Sequence, residues 1–133
     1  MSFGTGHPAN ALAPFGMRSH RDLFAWQKAR QVTLDVHRYA ARQWKPGVAA
    51  ILDQLRRAAL SVQLNIAEGY ASGKGPRCRY HLRVAYASAV ETTDLLELLI
   101  DLDTANGDPL KSLASLSHES QAITLLLLRK TKP

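Results

Sequence analysis

The sequence contains a single cysteine, Cys78, in 133 residues, so no disulfide can form within the chain. This excludes a small domain held together by disulfide bonds, and the lone thiol fits a reducing, cytoplasmic location. No run of about 18 apolar residues occurs, which predicts that no helix spans a membrane. Alternating apolar and polar residues, the pattern of a half-buried strand, are also missing, so the fold class is all-α.

Residues 1–17 lack the basic start and apolar stretch of a secretory signal peptide. Three glycines and two prolines interrupt this stretch, and such residues break regular structure. They are Gly4, Gly6, Pro8, Pro14 and Gly16. We therefore predict a flexible tail over residues 1–17 and one domain over residues 18–133, a length that suits a single core.

Charge is distributed unevenly along the chain, whose net charge is +6. Residues 1–83 carry thirteen Lys and Arg against four acids, whereas residues 84–133 carry four against seven. This asymmetry predicts a polarised surface that attracts either a polyanion or the acidic face of another copy. A basic surface that is merely solvated is the alternative interpretation.

Apolar residues at spacings of three and four predict four helices, over about 22–42, 48–68, 76–104 and 109–129. Asp22 is the expected cap of the first helix, and Gly69 is the expected end of the second. Pro76 suits the first turn of the third helix, and residues 106–109 form a turn before the fourth. Short connections between amphipathic helices indicate an up-down-up-down antiparallel four-helix bundle.

The second helix has more apolar surface than one stripe can hold. Ile51, Leu55, Ala58, Val62 and Ile66 form its core-facing stripe, while Leu52, Leu60 and Leu64 are expected to point elsewhere. A helix that is apolar on more than one face must be covered on more than one face. In a bundle of this size, the simplest cover is a second copy of the chain, so we expect a homo-oligomer.

Motifs for catalysis or metal binding are not evident in the sequence. None of the five histidines pairs with another histidine or with Cys78 at zinc-site spacing, and no Glu-x-x-His pair suggests a di-iron bundle. The Gly73-Lys74-Gly75 segment departs from a phosphate-binding loop in its spacing and in the helix that precedes it. Cys78 is expected to be a small, partly buried side chain. We therefore expect no enzyme, no metal and no cofactor.

Polar residues in the middle of the second and third helices predict a structural network between them. Its candidate members are Arg57, Ser61, Asn65, Glu68, Ser88 and Glu91. Because a buried carboxylate needs a partner, we expect an arginine of the second helix to reach Glu91.

A basic segment around the connection between the second and third helices is the candidate functional surface. Arginines bind phosphates through two nitrogens at once, and the interleaved tyrosines, Tyr70 and Tyr80, can stack on unpaired bases. The candidate nucleic-acid-binding residues are Arg56, Arg57, Lys74, Arg77, Arg79 and Arg83.

Three segments resemble a known bacterial family. Residues 22–29 (DLFAWQKA) resemble its D-L-x-x-W-Q-K-A opening, and residues 54–69 (QLRRAALSVQLNIAEG) resemble its Q-I-R-R-A-A-x-S-I-x-x-N-I-A-E-G signature. Arg83-Val84-Ala85, Ser88 and Glu91 resemble its third-helix pattern. The family comprises proteins encoded in intervening sequences of 23S ribosomal RNA genes and the accessory variability determinant of diversity-generating retroelements.

This resemblance implies a homopentamer of four-helix bundles and, in the retroelement branch, contact with nucleic acid and a reverse transcriptase. The sequence departs from the family pattern at Gln63-Leu64, Arg77-Cys78 and His81, which makes the loop end more basic and less apolar. Two functions therefore remain open: a non-enzymatic accessory protein that binds RNA or DNA, and a protein–protein scaffold without nucleic-acid binding.

Overall fold

The computed structural model describes residues 18–102 and 107–131, except for the side chains of residues 107 and 108. A short 3-10 turn, His20–Asp22, precedes four α-helices, and no strand occurs in these two ranges. The helices are α1 (Phe24–Gln43), α2 (Ala49–Ala71), α3 (Pro76–Asp101) and α4 (Gly107–Lys130). The tail predicted over residues 1–17 lies outside the described residues, as do Thr104 and Asn106 at the predicted end of α3 and the following turn.

Each helix packs against the two helices beside it, which closes the four into a ring. The contacting pairs among the described residues are α1–α2, α2–α3, α3–α4 and α4–α1, and α2–α3 is the most extensive. The helices α2 and α3 are antiparallel, since Gln54 contacts Glu91 whereas Ser61, further along α2, contacts Ser88, which comes earlier in α3. The predicted four-helix bundle is confirmed for this part of the chain.

Two buried clusters fill the bundle, one toward each end. The first is centred on Val36, Leu55 and Leu96, and the second on Ile66, Cys78 and Leu82. Four of the five residues of the stripe predicted on α2 are buried and Ile51 is half-buried, whereas Leu60 and Leu64 are exposed as expected. The expectation for Leu52 is wrong, because its side chain is 1% exposed and belongs to the first cluster.

The start of α1 differs from the prediction. Ser19 and Asp22 form a capping box on the 3-10 turn, in which Asp22 accepts a hydrogen bond from the backbone N–H of Ser19. The Asp22 carboxylate also accepts from the N–H of Arg18 at 2.8 Å. The N-cap of α1 itself is Leu23, which makes no side-chain cap. Asp22 therefore stabilises the turn before α1 and does not cap the helix.

Gly69 was predicted to end α2, but the helix continues through it to Ala71. A Cβ atom at this position would lie 3.3 Å from Leu82 Cδ2 and 3.4 Å from the Cys78 carbonyl oxygen. The missing side chain therefore lets α2 approach α3 closely. The glycines with a left-handed backbone are Gly73 and Gly75, at φ of 77° and 109°, in the connection that follows.

None of the described helices combines the length and the apolar character that crossing a lipid bilayer requires.

Candidate nucleic-acid interface

One end of the bundle brings together the start of α1, the end of α2, the start of α3 and the end of α4. The His20 ring lies 5.0 Å from the Trp26 ring of α1 and 6.5 Å from the Tyr70 ring of α2. Across the bundle, the Arg79 guanidinium of α3 donates a hydrogen bond to the carbonyl oxygen of Thr131, just after α4. These contacts place four separate stretches of sequence on one surface.

Cations are concentrated on this surface, which we call the basic end. Its members are Arg18, Arg21, Lys74, Arg77, Arg79, Arg83, Arg129 and Lys130. The carboxylates in the same segments are Asp22 and Glu68, and Asp22 is bonded to backbone N–H groups. A surface with eight cations and two carboxylates has a positive potential that attracts a polyanion.

Sequence reasoning found half of this surface. Lys74, Arg77, Arg79 and Arg83 stand close together in the chain and were predicted from that clustering. Arg18 and Arg21, and Arg129 and Lys130, come from opposite ends of the described chain. Four antiparallel helices return the chain to the end of the bundle where it started, so both ends of the described chain lie there. The predicted topology therefore contained the information needed to include these four cations in the surface.

The connection between α2 and α3 is held by its own backbone. Ser72 N–H donates to the Glu68 carbonyl oxygen at 2.9 Å, and Gly73 N–H donates to that of Tyr70 at 3.2 Å. Gly75 is the N-cap of α3, with Pro76 in the first turn and no side chain capping the helix. The uncapped start of a helix carries partial positive charge, which adds to that of Lys74 and Arg77 beside it.

The four predicted cations of this region differ in their exposure and in their protein partners. Lys74, Arg77 and Arg83 are exposed and make no ion pair with the described residues. Arg79 is half-buried, and its Nη1 donates a hydrogen bond to the Thr131 carbonyl oxygen. Three of the four can therefore contact phosphate without giving up a protein partner.

Arg56 and Arg57 lie elsewhere. They stand about four helical turns, or roughly 20 Å, before the end of α2. Arg56 forms an ion pair with Asp53, and Arg57 donates to the Gln54 side-chain oxygen at 3.0 and 3.3 Å. The structure thus does not bring these two predicted residues together with the other four.

The two tyrosines near the connection have opposite environments. Tyr70 is 3% exposed and packs in the second core cluster, whereas Tyr80 is 62% exposed. Burial, with a smaller contribution from the Asp22 charge, raises the pKa of the Tyr70 hydroxyl. Of these two tyrosines, only Tyr80 presents a ring to which a base could stack.

A row of polar side chains crosses the α2–α3 contact. Ser61 and Ser88 hydroxyls lie 2.8 Å apart, and the Asn65 amide donates to the Ser61 carbonyl oxygen at 2.9 Å. His81 Nδ1 lies 3.1 Å from Asn65 Oδ1 and 3.2 Å from Glu68 Oε2. Because both partners are oxygens that accept, this nitrogen carries the proton.

The other end of the row involves Glu91. This carboxylate is exposed and accepts a hydrogen bond from the Gln54 side-chain amide, while Arg57 bonds the Gln54 oxygen. The expected arginine partner of Glu91 is therefore wrong, since glutamine stands between the two charges. Along this row the hydrogen bonds form two groups: Arg57 and Glu91 meet through Gln54, whereas Ser61, Asn65, Glu68 and Ser88 are joined with His81. Gln54 and His81 were missed by sequence reasoning.

Cys78 is fully buried beneath the start of α3. Burial raises the pKa of its thiol, which works against a reactive thiolate despite the neighbouring arginines. In the two described ranges, no group of three or more His, Cys, Asp and Glu side chains is arranged to hold a metal ion.

The acidic side chains of α3 occupy the opposite half of its outer face. Glu91, Asp94, Glu97 and Asp101 are all exposed, and Glu97 contacts His118 of α4 at 3.3 Å. They line two open clefts of about 390 and 540 Å³. Along α3, then, the outer surface changes from basic at the start to acidic toward the end.

A cleft of about 670 Å³ lies between α1 and α4 and away from the basic end. Lys28, Arg38 and Arg42 line it together with Asp35 and Glu119, and Lys28 is paired with Glu119 at 3.2 Å. Since charges of both signs are mixed there, this cleft is a poorer surface for phosphates than the basic end.

A family model described as 23S rRNA-intervening sequence protein matches residues 21–125. The match spans all four helices, including the polar row and most of the basic end. No curated protein matches the chain.

Proposed function

Because the chain belongs to the family of 23S rRNA-intervening sequence proteins, we propose that it is a non-enzymatic accessory protein that binds nucleic acid through its basic end. It would act in the cytoplasm as an oligomer of identical chains. The observation that carries this proposal is the collection of eight cations on one end of the bundle, where two carboxylates accompany them among the described residues.

The chemistry of such an interface is electrostatic. Each cation that neutralises a phosphate releases a condensed counterion, so affinity falls steeply as salt is added. Lys74, Arg77 and Arg83 supply exposed charges, and the uncapped start of α3 adds to the positive potential. Contacts of this type hold the phosphate backbone without reading base sequence.

Fluorescence anisotropy with labelled RNA and DNA oligonucleotides tests the proposal. We expect binding at 50 mM salt that weakens strongly by 200 mM, with a straight line of log K against log salt. Replacing Lys74, Arg77 and Arg83 with Gln should flatten that line by about two on single strands, since each lost contact contributes about 0.7.

A charge-matched control is available at the other end of the bundle. Arg42, Lys45 and Lys111 are exposed there, and replacing these three with Gln removes the same charge. We expect a salt slope close to that of the unmodified protein. The double replacement of Arg56 and Arg57 shows whether phosphate contacts continue along α2. If the unmodified protein fails to bind RNA and DNA at 50 mM salt, nucleic-acid binding is refuted.

The scaffold alternative has its own support on the outer surfaces of α2 and α3. Leu60 and Leu64 are 39% and 46% exposed on α2, and the acidic half of α3 could receive the basic end of another copy. We propose self-association, with the homopentamer that the family resemblance implies. A reverse transcriptase is a further proposed partner where such a gene lies beside this one.

Light scattering tests self-association. We expect a mass of five chains, reduced by replacing Leu60 and Leu64 with Gln or by reversing the charges of Asp94 and Asp101. A monomer at working concentrations would rule out the oligomer. If the charge-reversed variant assembles normally while the leucine variant does not, apolar contact and not charge pairing holds the copies together.

A further inference from the structure

A small cleft opens on the outer surface of α3 within the basic end. Its lining residues are Pro76, Arg79, Tyr80 and Arg83, and its volume is about 310 Å³. These positions are three, four and seven residues apart, which places them on one face of the first two helical turns. The surface that the cleft offers is mainly apolar, although two arginines border it.

Tyr80 presents an aromatic ring in this cleft. Its side chain is 62% exposed, the largest exposure among the large apolar and aromatic side chains of the described residues. The neighbouring His81 ring packs against it in a T-shaped contact, with the centroids 5.4 Å apart and the planes at 72°. His81 is itself tied to Asn65 and Glu68 of α2. The ring is therefore supported from one side and open to a ligand.

The two arginines can supply charge to a ligand beside that ring. Arg83 is exposed and forms no ion pair with the described residues. Arg79 is bonded through Nη1 to Thr131, and its Nε finds no hydrogen-bond acceptor in the described chain. That nitrogen is buried, so Arg79 stands fixed in the cleft wall and contributes its positive charge, which has no ion-pair partner among the described residues.

We infer that this cleft binds an unpaired nucleotide, whose base stacks on Tyr80 while Arg79 and Arg83 hold the adjoining phosphates. The inference rests on the proposed nucleic-acid function and makes it specific: the basic end prefers single strands, loops or frayed ends to duplex. A base in a duplex is already stacked on both faces and is inaccessible to Tyr80, whereas an unpaired base has a face available for stacking. A duplex would engage only the cations of the basic end.

The test compares one labelled 12-nucleotide strand with the same sequence as a duplex, in RNA and DNA forms, at one salt concentration. Tyr80→Ala should weaken binding of the single strand at least fivefold, because base–aromatic stacking contributes that much or more for each base. Binding of the duplex should change less than twofold. Tyr80→Phe should retain the single-strand affinity because it keeps the ring.

Trp44 provides the matched control. It is 56% exposed and lies between α1 and α2 at the other end of the bundle, and Trp44→Ala should leave both affinities unchanged. An abasic strand, which keeps its phosphates but lacks its bases, distinguishes base stacking on Tyr80 from phosphate binding by the arginines. On that strand Tyr80→Ala should have no effect, whereas Arg83→Gln should still weaken binding.

Equal loss of single-strand and duplex affinity in Tyr80→Ala, or no loss in either, would overturn the inference while leaving the proposed function intact. A change of assembly mass in Tyr80→Ala would also overturn it, because the ring would then be a contact between copies. If the unmodified protein binds neither probe, the proposed function and this inference fail together.

Discussion

The Arg79 guanidinium donates a hydrogen bond to the backbone carbonyl oxygen of Thr131, and this contact joins the start of α3 to the end of α4. The last carbonyls of a helix carry partial negative charge and lack partners within the helix. A cation from the neighbouring helix therefore completes the end of α4, whose own Arg129 and Lys130 remain exposed on the surface.

Removing this contact should destabilise the bundle. Hydrogen bonds to charged groups contribute about 1.5–3 kcal/mol, and the partial exposure of Arg79 lowers the expectation for Arg79→Ala to about 1–2 kcal/mol. Urea unfolding measures the difference, and faster amide exchange over the last turn of α4 should accompany it. Arg83→Ala removes the same charge from an exposed site and should change the unfolding free energy by less than about 0.5 kcal/mol. Equal losses in the two variants would contradict a specific role for the Thr131 contact.

The Ser61–Ser88 pair predicts a coupling between α2 and α3. The hydroxyls are 2.8 Å apart, and Ser88 is 9% exposed. Either serine replaced alone by Ala should cost about 1 kcal/mol, because it leaves a poorly solvated partner. The double replacement should cost less than the sum of the two by about 0.5–1.5 kcal/mol. A double-mutant cycle by chemical denaturation measures this, and additive losses would show that the two hydroxyls act independently.

Gly69 should tolerate alanine but not a larger residue. Alanine in a helix interior is favoured over glycine by about 0.5–1 kcal/mol, which offsets the tight 3.3 Å approach to Leu82. Gly69→Ala should therefore lie within about 1 kcal/mol of the unmodified protein, whereas Gly69→Val overfills the α2–α3 contact and should lose about 1–3 kcal/mol. Gly47 has no atom within 4 Å of a built Cβ, so Gly47→Val is the control for a change without crowding. A stable Gly69→Val variant would show that the helices can move apart.

His20 should make the docking of the 3-10 turn sensitive to acid. Burial, with a smaller contribution from the Arg21 charge, lowers the pKa of this histidine below its ordinary value of 6.5. The folded state thus disfavours protonation of His20. The stabilising contribution of the neutral ring is therefore fully present above pH 6.5 and is lost as the pH falls through the lowered pKa. An NMR titration should place the midpoint of His20 below 6.5, and His20→Gln should remove this part of the pH dependence. A midpoint above 6.5 would contradict the assignment.

The helices and their core faces were predictable because a spacing of three and four is a local property of the chain. The same reasoning failed at Leu52, which lies near the border of the predicted stripe and is buried because α2 packs against two helices. The prediction of a helix end at Gly69 is wrong because glycine favours both helix ends and close helix contacts, and the position of Leu82 distinguishes the two roles.

The candidate site was only partly predictable for a related reason. Lys74, Arg77, Arg79 and Arg83 are near in sequence, so their clustering was visible. The separation of Arg56 and Arg57 from them depends on helix length, and the joining of Arg79 to Thr131 depends on a contact across 52 positions of sequence. Tyr70 is buried and Tyr80 is exposed because of how the helices pack, and the amino-acid composition of this segment does not distinguish the two.

The return of the chain to its starting end has a practical consequence. Arg18 and Thr131, the first and last described residues, both lie at the end that carries the cations, so a purification tag or fusion partner joined directly at either of these two positions would be tethered beside them. A label inserted in the turn at residues 44–48, between α1 and α2, would stand about 30 Å away, the length of a 20-residue helix. That turn is the better point of attachment for immobilising the molecule with its charged end facing solution.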